Sequence, residues 1–251
     1  MRTAINLSRI WIGLTLLSLV TACGDGKKDI RDYYFPIRDL KEGLVYEYRA
    51  VGSERLGPVY WYYRSFFQPE GVFLTGTYYE QSLEPLQLVR EEAVSNGMLL
   101  AELYLYMQDS TGKAQPLKAE VLAGNSFPFE VKDSSSLFLY KVRFDLPSDS
   151  VKHSITVIKN RYYMGDTTVQ VMGKTIPCVK FKVKEAIEDE IADQGVLEPE
   201  TDGYELYAEG LGLVYFEKKL GRQRVAYRLH DRYDMEELVK LLGDGPAGST
   251  E

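Results

Sequence analysis

From Leu44 onward the chain alternates apolar and polar side chains with a period of two, the repeat of strands that turn one face to a core and the other to water. Leu44–Val51, Val59–Phe67, Val72–Glu80 and Leu86–Val94 form the first series, punctuated by Gly57-Pro58, Gly71 and Glu84-Pro85. Asn96-Gly97 predicts a two-residue hairpin leading into Met98–Gln108, because both positions tolerate positive φ. In that strand Leu99, Ala101, Leu103, Leu105 and Met107 are expected on the core face, opposite Leu100, Glu102, Tyr104, Tyr106 and Gln108. After Thr111-Gly112 come Gln115–Leu122 and Leu137–Leu146, in which Phe138, Tyr140, Val142 and Phe144 share a face. Lys152–Tyr163, Thr167–Met172 and Thr175–Glu185 follow. The last sets Val179, Phe181 and Val183 on one side against Lys180, Lys182 and Lys184 on the other, a strand with one dry and one wet face.

Glu185–Asp202 breaks this pattern with eight acids and no base, which predicts a solvated, mobile loop. Its oxygens are of the kind that hold calcium, but no Asp-x-Asp-x-Asp-Gly spacing supports a cation site. Strands resume over Tyr204–Ala208, Gly212–Lys219 and Arg222–His230. Asp234–Leu242 reads as a short helix, with Asp234 as N-cap, acids in the first turn and Gly243 as its stop.

The N-terminus has a different organisation. Arg2 and Arg9 precede an apolar run over Ile10–Val20, too short for a permanent span, and Leu19-Val20-Thr21-Ala22-Cys23 closes it. This order of basic, apolar and small residues before a cysteine resembles the lipobox of bacterial lipoproteins. The resemblance implies cleavage of residues 1–22 and acylation of Cys23, with palmitate-type chains as the sole covalent group and no other cofactor. Gly24 after the cysteine implies, by the sorting rule of enteric bacteria, transfer to the outer membrane. Lys27-Lys28-Asp29 is similar to the surface-export signals of Bacteroidota lipoproteins. Residues 23–35 are expected to be a lipidated tether, 36–243 a single β-rich domain and 244–251 a frayed tail.

Removing residues 1–22 leaves 28 Lys+Arg (30 minus 2) against 37 Asp+Glu, a formal charge of −9. Nucleic acid is therefore not an expected partner, since phosphate neutralisation needs clustered bases. A membrane partner reached through lipid suits the balance better. With Cys23 acylated, Cys178 has no intramolecular thiol to pair with, and its strand-like surroundings predict a small buried hydrophobe. His153 and His230 are the only histidines, and neither lies near a Gly-x-Ser-x-Gly elbow, which is absent. No phosphate-binding glycine loop and no Cys/His metal cluster occurs, and nothing marks two of the 37 acids as a catalytic pair.

The unusual feature of the body is Tyr60-Trp61-Tyr62-Tyr63 with Phe66-Phe67. Alternation puts Trp61, Tyr63 and Phe67 on one face and Tyr60, Tyr62 and Phe66 on the other. Together with Tyr104 and Tyr106, these aromatics are candidates for a wall that takes a lipid, a glycan or an extended peptide. The other reading is a central strand buried on both faces.

Tyr207-Ala208-Glu209-Gly210-Leu211-Gly212-Leu213-Val214 and the Gly173-Lys174 hairpin resemble segments of β-rich bacterial envelope lipoproteins of unknown function. That resemblance implies a late strand of a curved sheet. The expected fold is mainly β and antiparallel, a strongly curved sheet or half-barrel with a short C-terminal helix, with a β-sandwich as the alternative. Three function classes follow: a non-enzymatic outer-membrane lipoprotein binding a lipophilic ligand or an envelope protein, a structural subunit of an envelope complex, or a hydrolase acting on glycan or lipid.

Overall fold

A computed structural model describes residues 26–53, 55–109, 111–132, 136–147, 153–191, 194–197 (backbone only) and 200–243. Cys23, the signal-like run before it and the expected tail lie outside these residues.

The chain is a meander of antiparallel strands. β1 (Lys28–Asp29) is followed by 3-10 turns at Arg31–Tyr33 and Ile37–Leu40, then β2 (Leu44–Ala50), β3 (Val59–Gln68), β4 (Gly71–Tyr79), β5 (Pro85–Val94) and β6 (Gly97–Gln108). Next come β7 (Ala114–Lys118), β8 (Glu120–Pro128), β9 (Glu130–Val131), β10 (Leu137–Leu146), β11 (His153–Val171) and β12 (Lys174–Ile191). β13 (Gln194–Leu197), β14 (Thr201–Ala208), β15 (Gly212–Leu220), β16 (Gln223–Tyr233) and α1 (Met235–Gly243) complete it.

Twelve of these strands close a ring in the order β2, β3, β4, β5, β6, β8, β10, β11, β12, β14, β15, β16 and back to β2. The expected half-barrel is therefore a complete barrel. Closure comes from β16 lying antiparallel to β2, with Tyr227 opposite Ala50 and Tyr233 opposite Val45. A curved sheet of this length would otherwise leave two unpaired edges, and joining the first and last strands removes both.

Inside, Tyr46, Tyr48, Phe127, Phe181, Met98 and Leu229 are fully buried. The alternation of β12 holds as expected: Val179, Phe181 and Val183 are buried, while Lys180, Lys182 and Lys184 are half-exposed. β6 departs from its expected faces. An irregularity in its pairing with β5 sets Glu91 opposite Leu100 and Arg90 opposite Glu102, which leaves Ala101 as an extra, exposed residue. Met98, Leu100 and Leu103 are consequently all buried, Met98 in the main core cluster and Leu100 with Leu103 in a second one, because one inserted residue reverses the facing of everything before it.

The acidic segment is not a mobile loop over its described length. β12 runs on to Ile191 between β11 and β13. Its acids have cationic partners on other strands, one or two away: Glu185 has Lys218 and Lys159, Asp189 has His153, and Glu188 has Lys141. Glu200 and Asp202 pair with Lys184 and Lys182. The segment has no base of its own, so periodicity and composition within it could not reveal this.

One end of the barrel is plugged by residues expected in the tether. Lys28–Asp29 pair with Glu130–Val131, and the Ile30 N–H donates to the Phe129 carbonyl at 2.8 Å. Ile30, Tyr34, Phe35 and Leu40 are buried in the main core cluster. Phe35 sits against Tyr63 with ring centroids 4.1 Å apart, edge-on to Tyr46, and over Gly212. Gly212 has φ +86°, and a Cβ there would lie 2.5 Å from the Phe35 ring. Only glycine fits both the backbone and the ring. The Gly210 N–H donates to the Asp32 carbonyl, so the Gly-x-Gly turn between β14 and β15 receives the plug.

α1 lies outside, over Val45, Tyr60 and Tyr233, with Leu238 fully buried beneath it. The Asp234 carboxylate accepts the Glu237 N–H at 2.8 Å, the expected N-cap.

Candidate functional site

Above the plug the barrel holds a cavity of about 430 Å³, within the range of small-molecule sites. Its floor is Tyr34, Phe35, Tyr63 and Tyr207, all buried. It widens towards half-exposed Val59, Tyr78, Gln87 and Tyr227, and Lys218, whose side chain is 54% exposed, marks the mouth.

One wall is aromatic. Trp61 stacks on Tyr63 at 5.8 Å and on Tyr78 at 5.4 Å, and Phe216 stacks on Tyr227 at 5.4 Å. Strand alternation brings Trp61 and Tyr63 inward, and Gly76 opposite Tyr63 leaves their rings room to lie over β4.

The other wall carries charge. Lys159 and Arg161 come from β11, Glu205 and Tyr207 from β14, and Glu91 from β5. Arg161 Nε donates to Glu205 Oε2 at 2.7 Å and its Nη2 to Oε1 at 3.4 Å. The Tyr207 hydroxyl donates to the same carboxylate at 3.0 Å. Lys159 Nζ stands 3.7 Å from Glu205 and 3.5 Å from Glu185, whose other oxygen accepts from Lys218 Nζ at 2.5 Å. The Tyr34 hydroxyl donates to Glu91.

Burial and mutual charge shift these groups away from their ordinary values. Burial alone would raise the Glu205 carboxyl, but Arg161 and Lys159 outweigh it and hold it at about 2. Glu185 follows the same pattern: burial pushes up, and Lys159 and Lys218 pull it below the usual range. Glu91 goes the other way. Burial raises it more than the bonds from Ser126 and Tyr34 and the charge of Arg161 lower it. Lys159 is shifted down by burial despite Glu205 and Glu185. Arg161 is 8% exposed, and its Nη1 has no hydrogen-bond partner among the described residues. A buried guanidinium N–H left unpaired is costly, so this atom marks a place where an acceptor is wanted.

Of the aromatics singled out from the sequence, Trp61 and Tyr63 line the cavity. Tyr60 and Tyr62 pack under or beside α1, and Phe66 lies on their outward face beneath the Arg64 guanidinium. Tyr104 and Tyr106 are on the outer side of β6, where Tyr104 packs against Lys118. The candidate wall thus divides by strand parity, and only one of its faces meets the lumen. Cys178 is fully buried in the core cluster, and burial pushes its thiol up to about 11. No group of three or more His, Cys, Asp or Glu able to hold a metal ion occurs among the described residues.

Sequence reasoning did not single out Glu91, Lys159, Arg161, Glu185 or Glu205. Their signal is a charge on an otherwise apolar alternation line. Val157, Lys159, Arg161 and Tyr163 share one face of β11, and Phe181, Val183 and Glu185 share one face of β12.

No protein family matches the chain, and no curated protein matches it. Among solved structures, the chain is similar to a candidate lipoprotein of Parabacteroides distasonis ATCC 8503. The two share 14% identity and a TM-score of 0.49 over 80% of this chain and 98% of that one. It is also similar to a candidate exported protein with a YmcC-like fold from Bacteroides fragilis NCTC 9343, at 14% identity, TM-score 0.45, and 80% and 99% coverage. At that distance neither lends this chain a function.

Proposed function

We propose that the protein is an outer-membrane lipoprotein, anchored through Cys23, whose barrel binds a small amphipathic ligand in its lumen. The observation that carries the ligand reading is the division of the cavity: stacked Trp61, Tyr63 and Tyr78 on one side and Lys159, Arg161 and Glu205 on the other. Aromatic faces take apolar or planar groups, and a few placed polar groups fix the orientation. The cell-envelope reading rests on the lipobox-like residues before Cys23.

The two parts combine into an orientation. Cys23 lies five residues before Lys28, which is paired at the plugged end. Five residues reach at most about 18 Å, so the plug faces the bilayer and the mouth faces away from it. Ligand then enters from the aqueous side or from another envelope protein.

Organic extraction of the purified protein, followed by mass spectrometry, tests the ligand reading. An amphiphile near one per chain is expected from the native protein, and less from Val89→Phe, which narrows the lumen from β5. Equal recovery from both would refute a lumenal site.

A further inference from the structure

Charged side chains of both signs line the cavity. Lys159, Arg161 and Lys218 bring three cations to it, and the carboxylates that answer them are Glu185 and Glu205. Glu217 also borders the cavity, but its carboxylate is taken by Arg224 at 2.7 Å and Lys219 at 3.4 Å. Glu91 accepts from the Tyr34 hydroxyl, and burial favours its neutral form. Lys159 and Arg161, both largely shielded from water, share Glu205, whose carboxylate already accepts from Arg161 and from the Tyr207 hydroxyl.

Geometry points to the same place. Lys159 and Arg161 are two residues apart on one face of β11, about 7 Å between backbones, so one acceptor group can engage both long side chains. Among the described residues, Arg161 lines the cavity with Nη1 unpartnered, and Lys159 has only long contacts to its carboxylates, 3.5 and 3.7 Å. The aromatic wall of Trp61, Tyr63, Tyr78 and Phe216 lines the same cavity.

We infer that the lumen selects anionic amphiphiles, with the anionic head between Arg161 and Lys159 and the apolar tail against the aromatic wall. This rests on the amphiphile reading above and adds the sign of the ligand's charge.

Calorimetric titration of the Cys23→Ser chain lacking residues 1–22 with dodecanoate, dodecanol and dodecyltrimethylammonium, each below its micellar concentration, separates the two claims. Dodecanoate is expected to bind at least about tenfold more tightly than dodecanol, about 1.4 kcal/mol. That margin should collapse in Lys159→Gln, and thermal melts establish that the variant is folded. Lys218→Gln, at the exposed mouth, should narrow the margin less. Equal binding of dodecanoate and dodecanol, or preference for the ammonium, overturns the anionic selectivity and leaves lumenal binding standing. Binding of none of the three overturns both.

Discussion

Glu205 and Glu91 line the same cavity with opposite protonation behaviour, and this gives the fold a signature in acid. Glu205 is held at about 2, below its ordinary 4.5. Its contribution is fully present above the unfolded value and is lost as pH falls from about 4.5 towards 2. Glu91 is raised, so its contribution is present below the unfolded value and is lost as pH rises through its higher folded value. Urea midpoints measured from pH 7 to pH 2 should therefore fall steeply only in the lowest part of that range. Glu205→Gln should be destabilised by about 3–5 kcal/mol at neutral pH, because Arg161 is left buried with its partner's charge removed, and its acid limb should be shallower. A variant with the native acid limb would show that Glu205 is not the group responsible. Cys178 makes the opposite kind of residue-level claim. With its thiol buried and pushed up to about 11, it should react with an alkylating reagent only on unfolding, and Cys178→Ala should cost about 1 kcal/mol. Prompt alkylation of the native protein would point to a reactive site instead.

Among the elements, the plug before β2 carries the clearest energetic test. Phe35 fills the space over Gly212 between Tyr46 and Tyr63, so Phe35→Ala should cost about 3–5 kcal/mol in chemical denaturation. Tyr104→Ala, on the outer side of β6, should fall within about 1 kcal/mol of the native chain. Equal losses would mean that the plug is not docked. These elements also show what was legible beforehand. Most strand runs and their turns were readable because period-two alternation is local, and Val179, Phe181 and Val183 against three lysines needed no partner to interpret. Lys152–Tyr163 and Thr167–Met172 instead form one strand, and Gln115–Leu122 spans the break between β7 and β8. The plug was not readable, since Ile30, Tyr34 and Phe35 stand in a short, charged, glycine-containing stretch whose apolar surface is buried only by distant strands. The extra residue at Ala101 was equally hidden, because it is defined by the register with β5. Acids in 185–202 read as a loop for the same reason: their lysines belong to other strands. Trp61 and Tyr63 were visible as candidates, but the charged half of the site was dispersed over β5, β11 and β14 and becomes a site only when the barrel closes.

For the whole molecule, closure of the ring is what turns a two-faced aromatic strand into a lumen with a plugged floor and an open mouth. The anchoring half of the proposal predicts that Cys23→Ser abolishes metabolic labelling by fatty acid and releases the protein from the membrane fraction. Unchanged labelling would place the lipid elsewhere or nowhere. The binding half can be read from a single residue. Trp11 lies within residues 1–22, so Trp61 is the sole tryptophan of the remaining chain, and it is part of the cavity wall. Titration of that chain with a terminally brominated dodecanoate should quench Trp61 emission saturably, because bromine quenches at contact. The quenching should be reduced in Val89→Phe, where the lumen is narrowed and Trp61 is retained. Quenching that does not saturate, or that is the same in Val89→Phe, would contradict a ligand site inside the barrel.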